Sequence, residues 1–517
     1  MKIPFPFLLH LFLSLIPSLI LSQSLRGTFI DCGATTTSVI NGLEWVPDDG
    51  FITTGTPKNL SIQYQDPTLS TVRTFPFQKN NLFKKFCYEI PVYRTGKYLV
   101  RTTYFYGGVN GNVSPPVFDQ VVDGTFWSIV NTTGDYVQGN ASFFEGIFLA
   151  AGKTMSVCLA ANNYTDSDPF ISALEVVLLA NSLYNSTDFG AYALKLVARH
   201  SFGYSGPLIR YPDDRFDRYW QPYGEDNSTT PSIRNVSVSG FWNIPPLKVF
   251  QTHLGIDQPK PMELLWPPTS LRNSIYYIAL YFADDHISPS GSARVFDITI
   301  NGVTYYSNLT VTEAGVAVFA NQWLLSGLTY LTLAPASGST IGPLINAGEI
   351  FEVLNFGGRT VTRDVISMER IKASFQNPPF DWNGDPCLPR QYSWTGVTCS
   401  EGLQARVITL NLTSMGISGS ISPSISNLTA LSGVFLGNNS LTGPIPDLSS
   451  LKILEILHLE DNKLGGEIPP SLGNAKKLHE LFLQNNNLTG NVPSNLVGKP
   501  GLNLRVSGNQ FLSPPAS

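Results

Sequence analysis

The sequence predicts a mainly β protein, in which two tandem antiparallel β-sandwiches are followed by a short solenoid of leucine-rich coils. Up to residue 356, short runs rich in Val, Ile, Tyr, Phe and Thr alternate with clusters of Gly, Pro and Asn. That alternation is typical of sandwiches rather than of βαβ units. After residue 400, leucines recur at a fixed period, which is typical of a solenoid.

The N-terminal 24 residues read as a secretory signal peptide. Lys2 precedes an apolar run from Phe5 to Leu21 that contains two prolines and ends beside small serines suited to cleavage. No later stretch offers about 20 uninterrupted apolar residues, the length that a membrane span needs. We therefore expect a mature chain that begins near Leu25, is soluble in an oxidising compartment and has no transmembrane span of its own.

Charge is scarce in this chain. Charged residues make up 14% of it, against a usual value of roughly 25%, so another group must keep the surface soluble. N-linked glycans are hydrophilic groups that keep such a surface soluble. The mild net charge of −5 argues against nucleic acid as a partner. Thirteen Asn-x-Ser/Thr sequons predict glycosylation at Asn59, Asn112, Asn131, Asn140, Asn163, Asn185, Asn227, Asn235, Asn308, Asn411, Asn427, Asn438 and Asn487.

The chain has five cysteines, and an odd number in an oxidising compartment leaves one thiol over. Cys87 and Cys158 both lie in strand-like runs, so we expect them to pair. Cys32 is then expected to stay free.

The part before residue 356 repeats itself. The motif PDD at 47–49 returns at 212–214, the pair Tyr-Phe at 104–105 returns at 281–282, and further matches follow in the same order. Between the halves, roughly Leu183 to Arg199 is the one persuasive helix. The predicted divisions are a first sandwich at 25–182, a helical linker at 183–194, a second sandwich at 195–356, a helical connector at 357–380, a cap at 381–400 and repeats at 401–517.

These motifs resemble the malectin-like pair of plant cell-surface receptors, through segments such as IDCG (30–33), PFISALEV (169–176) and INAGEIFEV (345–353). Malectin binds a glucose disaccharide through aromatic side chains and an aspartate on loops, since aromatic faces stack on sugar C–H groups and a carboxylate accepts hydroxyl hydrogen bonds. The resemblance therefore implies a carbohydrate site, for which the matching residues are Tyr104, Phe105, Asp168, Tyr281 and Phe282.

The second half departs from the malectin pattern. Gly342 stands where the aspartate should be, and Phe250 replaces a binding tyrosine, so the first half is the better candidate. Tyr and Phe beside strands are more often core residues, which is the alternative interpretation. Plant relatives are also thought to bind peptides or partner receptors with these surfaces.

The sequence of the connector at 357–380 predicts one helix near 364–375. Asp364 can cap its N-terminus, and Val365, Ile366, Met368 and Ile371 share one helical face. We expect the helix to pack against the second sandwich or the cap.

The stretch at 381–400 resembles the cap that opens plant extracellular leucine-rich repeat domains, through Trp382, Cys387 and the run WTGVTC that begins at Trp394. The resemblance implies a disulfide between Cys387 and Cys399, and tryptophans that cover the open end of the first repeat. The run GDPC at 384–387 also resembles the motif that joins malectin-like and leucine-rich regions in symbiosis-type receptor kinases, near which relatives can be cut.

The leucine pattern after the cap starts at Leu431, Leu454 and Leu478, which are 23 and 24 residues apart and inside the leucine-rich repeat range of about 20–29. A looser earlier copy and a partial last copy bring the number of coils to about five. An asparagine in each clear copy is expected to bond backbone groups in the turn.

One exposed column should run along the concave face of the repeats. It holds Asn411, Phe435, His458, Phe482 and Arg505, and the neighbouring column holds Thr413, Gly437, Glu460, Gln484 and Ser507. Aromatic side chains in an exposed column are better candidates for binding than for the core, and incidental surface residues are the alternative. The predicted protein-binding residues are Phe435, His458, Phe482 and Arg505, because a glycan on Asn411 would cover the first coil.

No catalytic constellation is apparent, and no cofactor or metal site is predicted. The Asp pairs at 48–49, 213–214 and 284–285 are better explained by a shared turn role than by glycosidase chemistry. We expect a secreted, non-enzymatic recognition protein of the plant cell surface or wall, resembling a receptor ectodomain without its kinase. Its expected partner is a wall glycan, a secreted peptide or a receptor kinase ectodomain, which could hold it at the plasma membrane. The alternatives are an inhibitor of a wall-degrading enzyme and a glycosidase.

Overall fold

A computed structural model describes residues 25–62, 66–77, 84–111, 114–224, 240–284 and 294–513. The predicted signal peptide and the sequon residues Asn112, Asn227 and Asn235 lie outside these ranges. Two β-sandwich lobes and a leucine-rich solenoid follow one another along the chain, as the sequence predicts.

The first lobe is a β-sandwich built from β-branched and aromatic runs. Its strands are β1 (Gly27–Asp31), β2 (Ser38–Ile40), β3 (Leu43–Pro47), β4 (Thr56–Asn59), β5 (Thr71–Thr74), β6 (Lys85–Pro91), β7 (Lys97–Tyr104), β8 (Phe118–Val122), β9 (Thr125–Val130), β10 (Ser142–Leu149), β11 (Thr154–Ala161), β12 (Phe170–Ile171) and β13 (Ala173–Leu178), with a short helix α1 (Thr133–Val137). One sheet runs in the order β2-β3-β1-β13-β7-β10, and β6-β11-β8-β9 faces it across the core.

The second lobe repeats this architecture. Its strands are β14 (Tyr192–Phe202), β15 (Gln221–Tyr223), β16 (Leu254–Gly255), β17 (Met262–Leu265), β18 (Leu271–Phe282), β19 (Arg294–Ile300), β20 (Val303–Val311), β21 (Val316–Gly327), β22 (Tyr330–Pro335), β23 (Leu344–Ile345) and β24 (Ala347–Asn355). The order β14-β24-β18-β21 forms one sheet and β17-β22-β19-β20 the other.

The two lobes share a sheet, because β10 pairs with β14 and joins the two inner sheets into one of 11 strands. The predicted helix at 183–199 is therefore wrong. Residues 181–191 form turns, and β14 follows. Ala193 and Leu194 are buried in apolar clusters on opposite faces of the sheet, so the strand shows no alternating pattern. Pairing with β10 and β24 overrides the helical propensity of its Ala, Leu, Lys and Arg residues.

The connector helix, α2 (Thr362–Ser374), forms as predicted and packs in the same core as the tryptophans of the cap, but Asp364 is not its N-cap. Val361 occupies the N-cap position without a side-chain bond, and Asp364 lies inside the first turn. There its buried carboxylate accepts hydrogen bonds from the Arg406 side chain and the Val407 backbone. Met368 and Ile371 belong to the core of the solenoid, so α2 is its first layer.

The solenoid has two main sheets, whose strand pairs are parallel apart from one antiparallel pair at the cap end. Its strands are β25 (Arg359–Thr360), β26 (Val397–Cys399), β27 (Gln404–Ala405), β28 (Val407–Asn411), β29 (Ser418–Ser420), β30 (Gly433–Phe435), β31 (Ser440–Pro444), β32 (Ile456–His458), β33 (Lys463–Glu467), β34 (Glu480–Phe482), β35 (Asn487–Asn491), β36 (Asn503–Arg505) and β37 (Phe511–Ser513), and α3 (Ser494–Val497) packs outside. The order β26-β28-β30-β32-β34-β36 forms one sheet and β29-β31-β33-β35-β37 the other.

The cap closes the open end of the solenoid, as its resemblance implies. The rings of Trp382 and Trp394 stack 5.1 Å apart, and both side chains are buried in the same core as the leucines. The disulfides Cys387–Cys399 and Cys87–Cys158 are both present, and Cys32 is free and buried. All three predictions about the cysteines are confirmed.

The cap also grips the first lobe through a contact that we call the clamp, formed by Lys85, Gly384, Asp385, Leu388 and Tyr392. The Lys85 Nζ atom, which is buried, donates to the carbonyl oxygens of Asp385 and Leu388, the latter at 2.7 Å. Gly384 has a φ of +62°, and a Cβ there would lie 2.7 Å from the Cys87 sulfur. The Tyr392 hydroxyl bonds Asp119 of β8. The GDPC run therefore fixes the solenoid to the first lobe.

Candidate ligand-binding surface

The aromatic pair predicted to bind sugar in the first lobe is buried. Tyr104 is 1% exposed and Phe105 is 4% exposed. The Tyr104 hydroxyl donates to Gln120 at 3.0 Å, and its ring packs edge-on against Phe118, Phe144 and Phe170. Neither ring offers a face to a sugar, so the core alternative describes these residues correctly.

The second-lobe pair is buried as well. Tyr281 and Phe282 have no exposed surface, and the Tyr281 hydroxyl donates to Glu349 at 2.6 Å. Burial, and then the negative charge of Glu349, raises the pKa of Tyr281 well above its ordinary value. Asp168 is half-buried and accepts a hydrogen bond from the Phe77 backbone, so it organises a loop. The predicted sugar-stacking role of the four aromatic residues is contradicted.

Because Tyr281 is buried, we expect the loss of its hydroxyl group to lower the stability of the lobes. Tyr281→Phe should lower the free energy of unfolding of the lobes by about 1–2 kcal/mol, because a buried Glu349 oxygen loses its donor. Urea unfolding followed by tryptophan fluorescence measures the change. Tyr330→Phe, at a tyrosine that is 41% exposed, is the control and should leave stability unchanged.

The aspartates of the PDD motifs have structural roles. Asp48 forms a paired hydrogen bond with the Arg73 guanidinium, both at 2.6 Å, and Asp214 accepts bonds from Arg218 and the Trp220 indole. Asp284 pairs with Arg294 at 2.7 Å. Each buried carboxylate thus neutralises a buried arginine, which is a structural role. Asp285 lies outside the described residues.

The concave sheet of the solenoid brings the predicted protein-binding residues together. Phe435, His458, Phe482 and Arg505 occupy one register position on successive strands β30, β32, β34 and β36. We call this set the aromatic column. The leucine or valine residues on either side of each member belong to the core or pack against it, so strand alternation turns the column outward.

The members of the aromatic column touch one another. The centroid of the His458 ring lies 5.1 Å from that of Phe435 and 4.2 Å from that of Phe482, on which it stacks nearly parallel. The Arg505 guanidinium lies 4.3 Å from the Phe482 ring centre, within cation–π range. The His458 ring also bonds Glu480 at 2.9 Å. The column is a continuous, half-exposed aromatic ridge with a positive end.

The neighbouring column supplies acceptors. The Oε2 atom of Glu460 and the Oε1 atom of Gln484 are buried and have no hydrogen-bond partner within the described part of the chain. Gly437 leaves room for Glu460, because a Cβ there would lie 2.5 Å from its Oε1 atom. Such acceptors fit a ligand that carries N–H donors.

Asparagines fix the spacing of the coils, as predicted. The Oδ1 atoms of Asn439, Asn462, Asn486 and Asn509 each accept a backbone N–H of the preceding coil at 2.8 to 3.0 Å. Their Nδ2 atoms donate to carbonyl oxygens in the turn. The aromatic column therefore rests on a rigid ladder.

The ten described sequon asparagines all lie at the surface, namely Asn59, Asn131, Asn140, Asn163, Asn185, Asn308, Asn411, Asn427, Asn438 and Asn487. Over the described ranges, no helix has the length and apolarity to cross a membrane, and no group of three or more His, Cys, Asp or Glu side chains could hold a metal ion.

The chain belongs to the malectin-like domain family, whose model matches residues 30–353. The leucine-rich repeat N-terminal domain model matches residues 363–400, and the leucine-rich repeat model matches 454–475 and 477–498. The protein is thus of the malectin-like and leucine-rich repeat ectodomain type.

Two similar proteins from Arabidopsis thaliana are receptor kinases. The leucine-rich repeat receptor-like serine/threonine-protein kinase At2g14510 is 32% identical over 436 residues, which cover 80% of this chain and 48% of the relative. The probable LRR receptor-like serine/threonine-protein kinase At1g67720 is 32% identical over 479 residues, covering 86% and 49%. The chain spans about half the length of these relatives.

Solved structures share the fold of the lobes. The extracellular domain of ANXUR1 from Arabidopsis thaliana superposes with a TM-score of 0.52 at 17% identity, covering 63% of this chain and 97% of that one. The structure of the plant peptide RALF23 in complex with FER and LLG2 contains a chain that superposes with a TM-score of 0.50 at 17% identity, covering 63% and 95%.

Proposed function

We propose that this protein is an extracellular, non-enzymatic recognition protein that binds a protein partner, either a secreted peptide or a receptor ectodomain, on its aromatic column. The observation that carries the proposal is the stacked ridge of Phe435, His458 and Phe482 with Arg505 at its end. Aromatic and Arg side chains are the residues that most often dominate binding energy at protein interfaces.

The partner should present an apolar or aromatic side chain to the ridge and N–H donors beside it. The apolar group would cover the ring edges, and the donors would bond the unpartnered oxygens of Glu460 and Gln484. That one similar fold was solved as a receptor in complex with a peptide supports a peptide among the possible partners. Two disulfides and ten exposed sequons support an extracellular location.

Affinity capture with the secreted protein from a cell-wall extract tests the proposal. The captured partner should lose at least tenfold in affinity on Phe482→Ala, because truncating a central aromatic anchor costs about 2 kcal/mol or more. Phe511→Ala is the matched control, since Phe511 is an exposed aromatic residue on the other sheet of the same solenoid. It should leave the affinity unchanged.

The same capture separates the other candidates. A partner that is a wall-degrading enzyme, and whose activity falls on binding, would make the protein an inhibitor that uses the same ridge. A wall glycan bound equally by wild type and Phe482→Ala would contradict the proposal. Hydrolysis of wall polysaccharide by the purified protein would contradict its non-enzymatic character.

A further inference from the structure

The shared sheet opens between the lobes. Strands β10 and β14 pair at only two positions, Gly146 with Lys195 and Ile147 with Leu194. Beyond Gly146, β10 continues back to Ser142 and stays paired with β7, while β14 continues to Arg199 and stays paired with β24. Residues 142–145 and 196–199 therefore line an opening in which neither strand has a partner on the facing side.

The opening is a defined cavity. It has a volume of about 450 Å³, and its walls include both unpaired strand segments. Four residues of strand extend about 13 Å. β15 takes over the edge of β14 from His200 onward, so the unpaired stretch is bounded at both ends.

Two of the residues that line this cavity carry a buried donor atom without a partner. The Nη2 atom of Arg199 and the Nε1 atom of Trp127 make no hydrogen bond within the described residues, although both side chains are 1% exposed. The remaining atoms of the Arg199 guanidinium are engaged, with Nε on Glu349 and Nη1 on Glu145, both at 2.7 Å. Buried donors of this kind are rare in folded proteins, and they call for a ligand with acceptor oxygens.

The aromatic rings of the cavity do not favour a sugar. Phe143 packs edge-on against Tyr219, and the guanidinium groups of Arg101 and Arg210 lie 3.4 and 4.6 Å from the centre of the Tyr219 ring. Phe144 packs against Tyr104 in the lobe core. The polar groups of the cavity include strand backbone on two sides and the two donors, and these match a peptide backbone, which carries both N–H groups and carbonyl oxygens.

We propose that this opening receives a short extended peptide segment that pairs with β10 and β14 and accepts hydrogen bonds from Arg199 and Trp127. The site is separate from the aromatic column and does not depend on the function proposed for it. The bound peptide would complete the sheet between the lobes, so its binding would also fix the orientation of one lobe relative to the other.

The probe is a phage-displayed library of linear peptides, selected on the purified protein. A selected synthetic peptide should slow amide hydrogen exchange in residues 142–145 and 196–199. Trp127→Phe removes one donor but keeps a ring against Phe148, so it should weaken binding about tenfold. Because Trp127 is buried, the smaller ring also leaves a void that lowers the melting temperature, and binding is therefore compared at a temperature where both proteins are folded.

Ala141→Trp should abolish binding by filling the cavity at a half-exposed position, and it preserves the sequon at Asn140. Ala141→Ser leaves the space open and should bind as wild type, as should Phe482→Ala in the aromatic column. The proposal is overturned if no selected peptide protects these two strands, if Ala141→Trp binds as tightly as wild type, or if only wall oligosaccharides give the protection.

Discussion

Replacing Cys387 by Ser should lower the free energy of unfolding of the leucine-rich repeats by about 3 kcal/mol while the two lobes stay folded. The disulfide to Cys399 closes a short loop, and the entropy that such a loop removes from the unfolded chain amounts to about 3 kcal/mol. The same loop holds Trp382 and Trp394 over the end of the leucine core. Without the disulfide the loop loosens, and water then reaches the leucine core at this end before it reaches the cores of the two lobes.

Limited proteolysis, with fragments identified by mass spectrometry, measures this effect by region. Cleavage should begin between residues 401 and 513 in Cys387→Ser and leave 25–356 intact. Thr398→Ala is the control, because Thr398 is exposed and adjoins Cys399. Unchanged protease resistance of the repeats in Cys387→Ser would show that the cap does not stabilise them.

Lys85→Met should release the solenoid from the first lobe. The change keeps the length of the side chain, but it removes the donor for two carbonyl oxygens of the clamp, at a cost of about 2 kcal/mol. Small-angle scattering should then show a wider range of angles between solenoid and lobes. Lys153→Met, at an exposed lysine of the same lobe, should behave as wild type.

Lys85→Met should also change how the free energy of unfolding depends on pH. Burial lowers the pKa of Lys85 from 10.5 to about 8, although nearby carboxylates such as Asp385 oppose the shift. Between these values the unfolded chain binds more protons than the folded one, so stability should rise with pH across this window. Lys85→Met should lose that part of the rise. An identical pH dependence in both proteins would mean that Lys85 is not buried in the clamp.

Local patterns predicted much of this fold. The leucine period located the coils, the turn asparagines and the outward column of Phe435, His458 and Phe482, because a repeat places each residue type at one position of every coil. The paired cysteines and the tryptophans of the cap were predictable for a similar reason, since a known motif fixes their neighbours.

Three features were not predicted correctly, each for its own physical reason. β14 is covered on both faces, so its sequence lacks the alternation of a strand and resembles a helix. Tyr104 and Tyr281 follow the malectin motif, but the motif specifies residue types and not exposure, and each hydroxyl has a buried partner instead. The clamp could not be predicted from local sequence patterns, because Lys85 and Asp385 are 300 residues apart.

The most direct test of the central claim is hydroxyl-radical footprinting of the protein with and without its captured partner. We expect oxidation of Phe435, His458 and Phe482 to fall in the complex, while oxidation of the exposed control Phe511 stays constant. Protection confined to the lobes, with the three residues of the aromatic column oxidised as in the free protein, would contradict recognition through the solenoid.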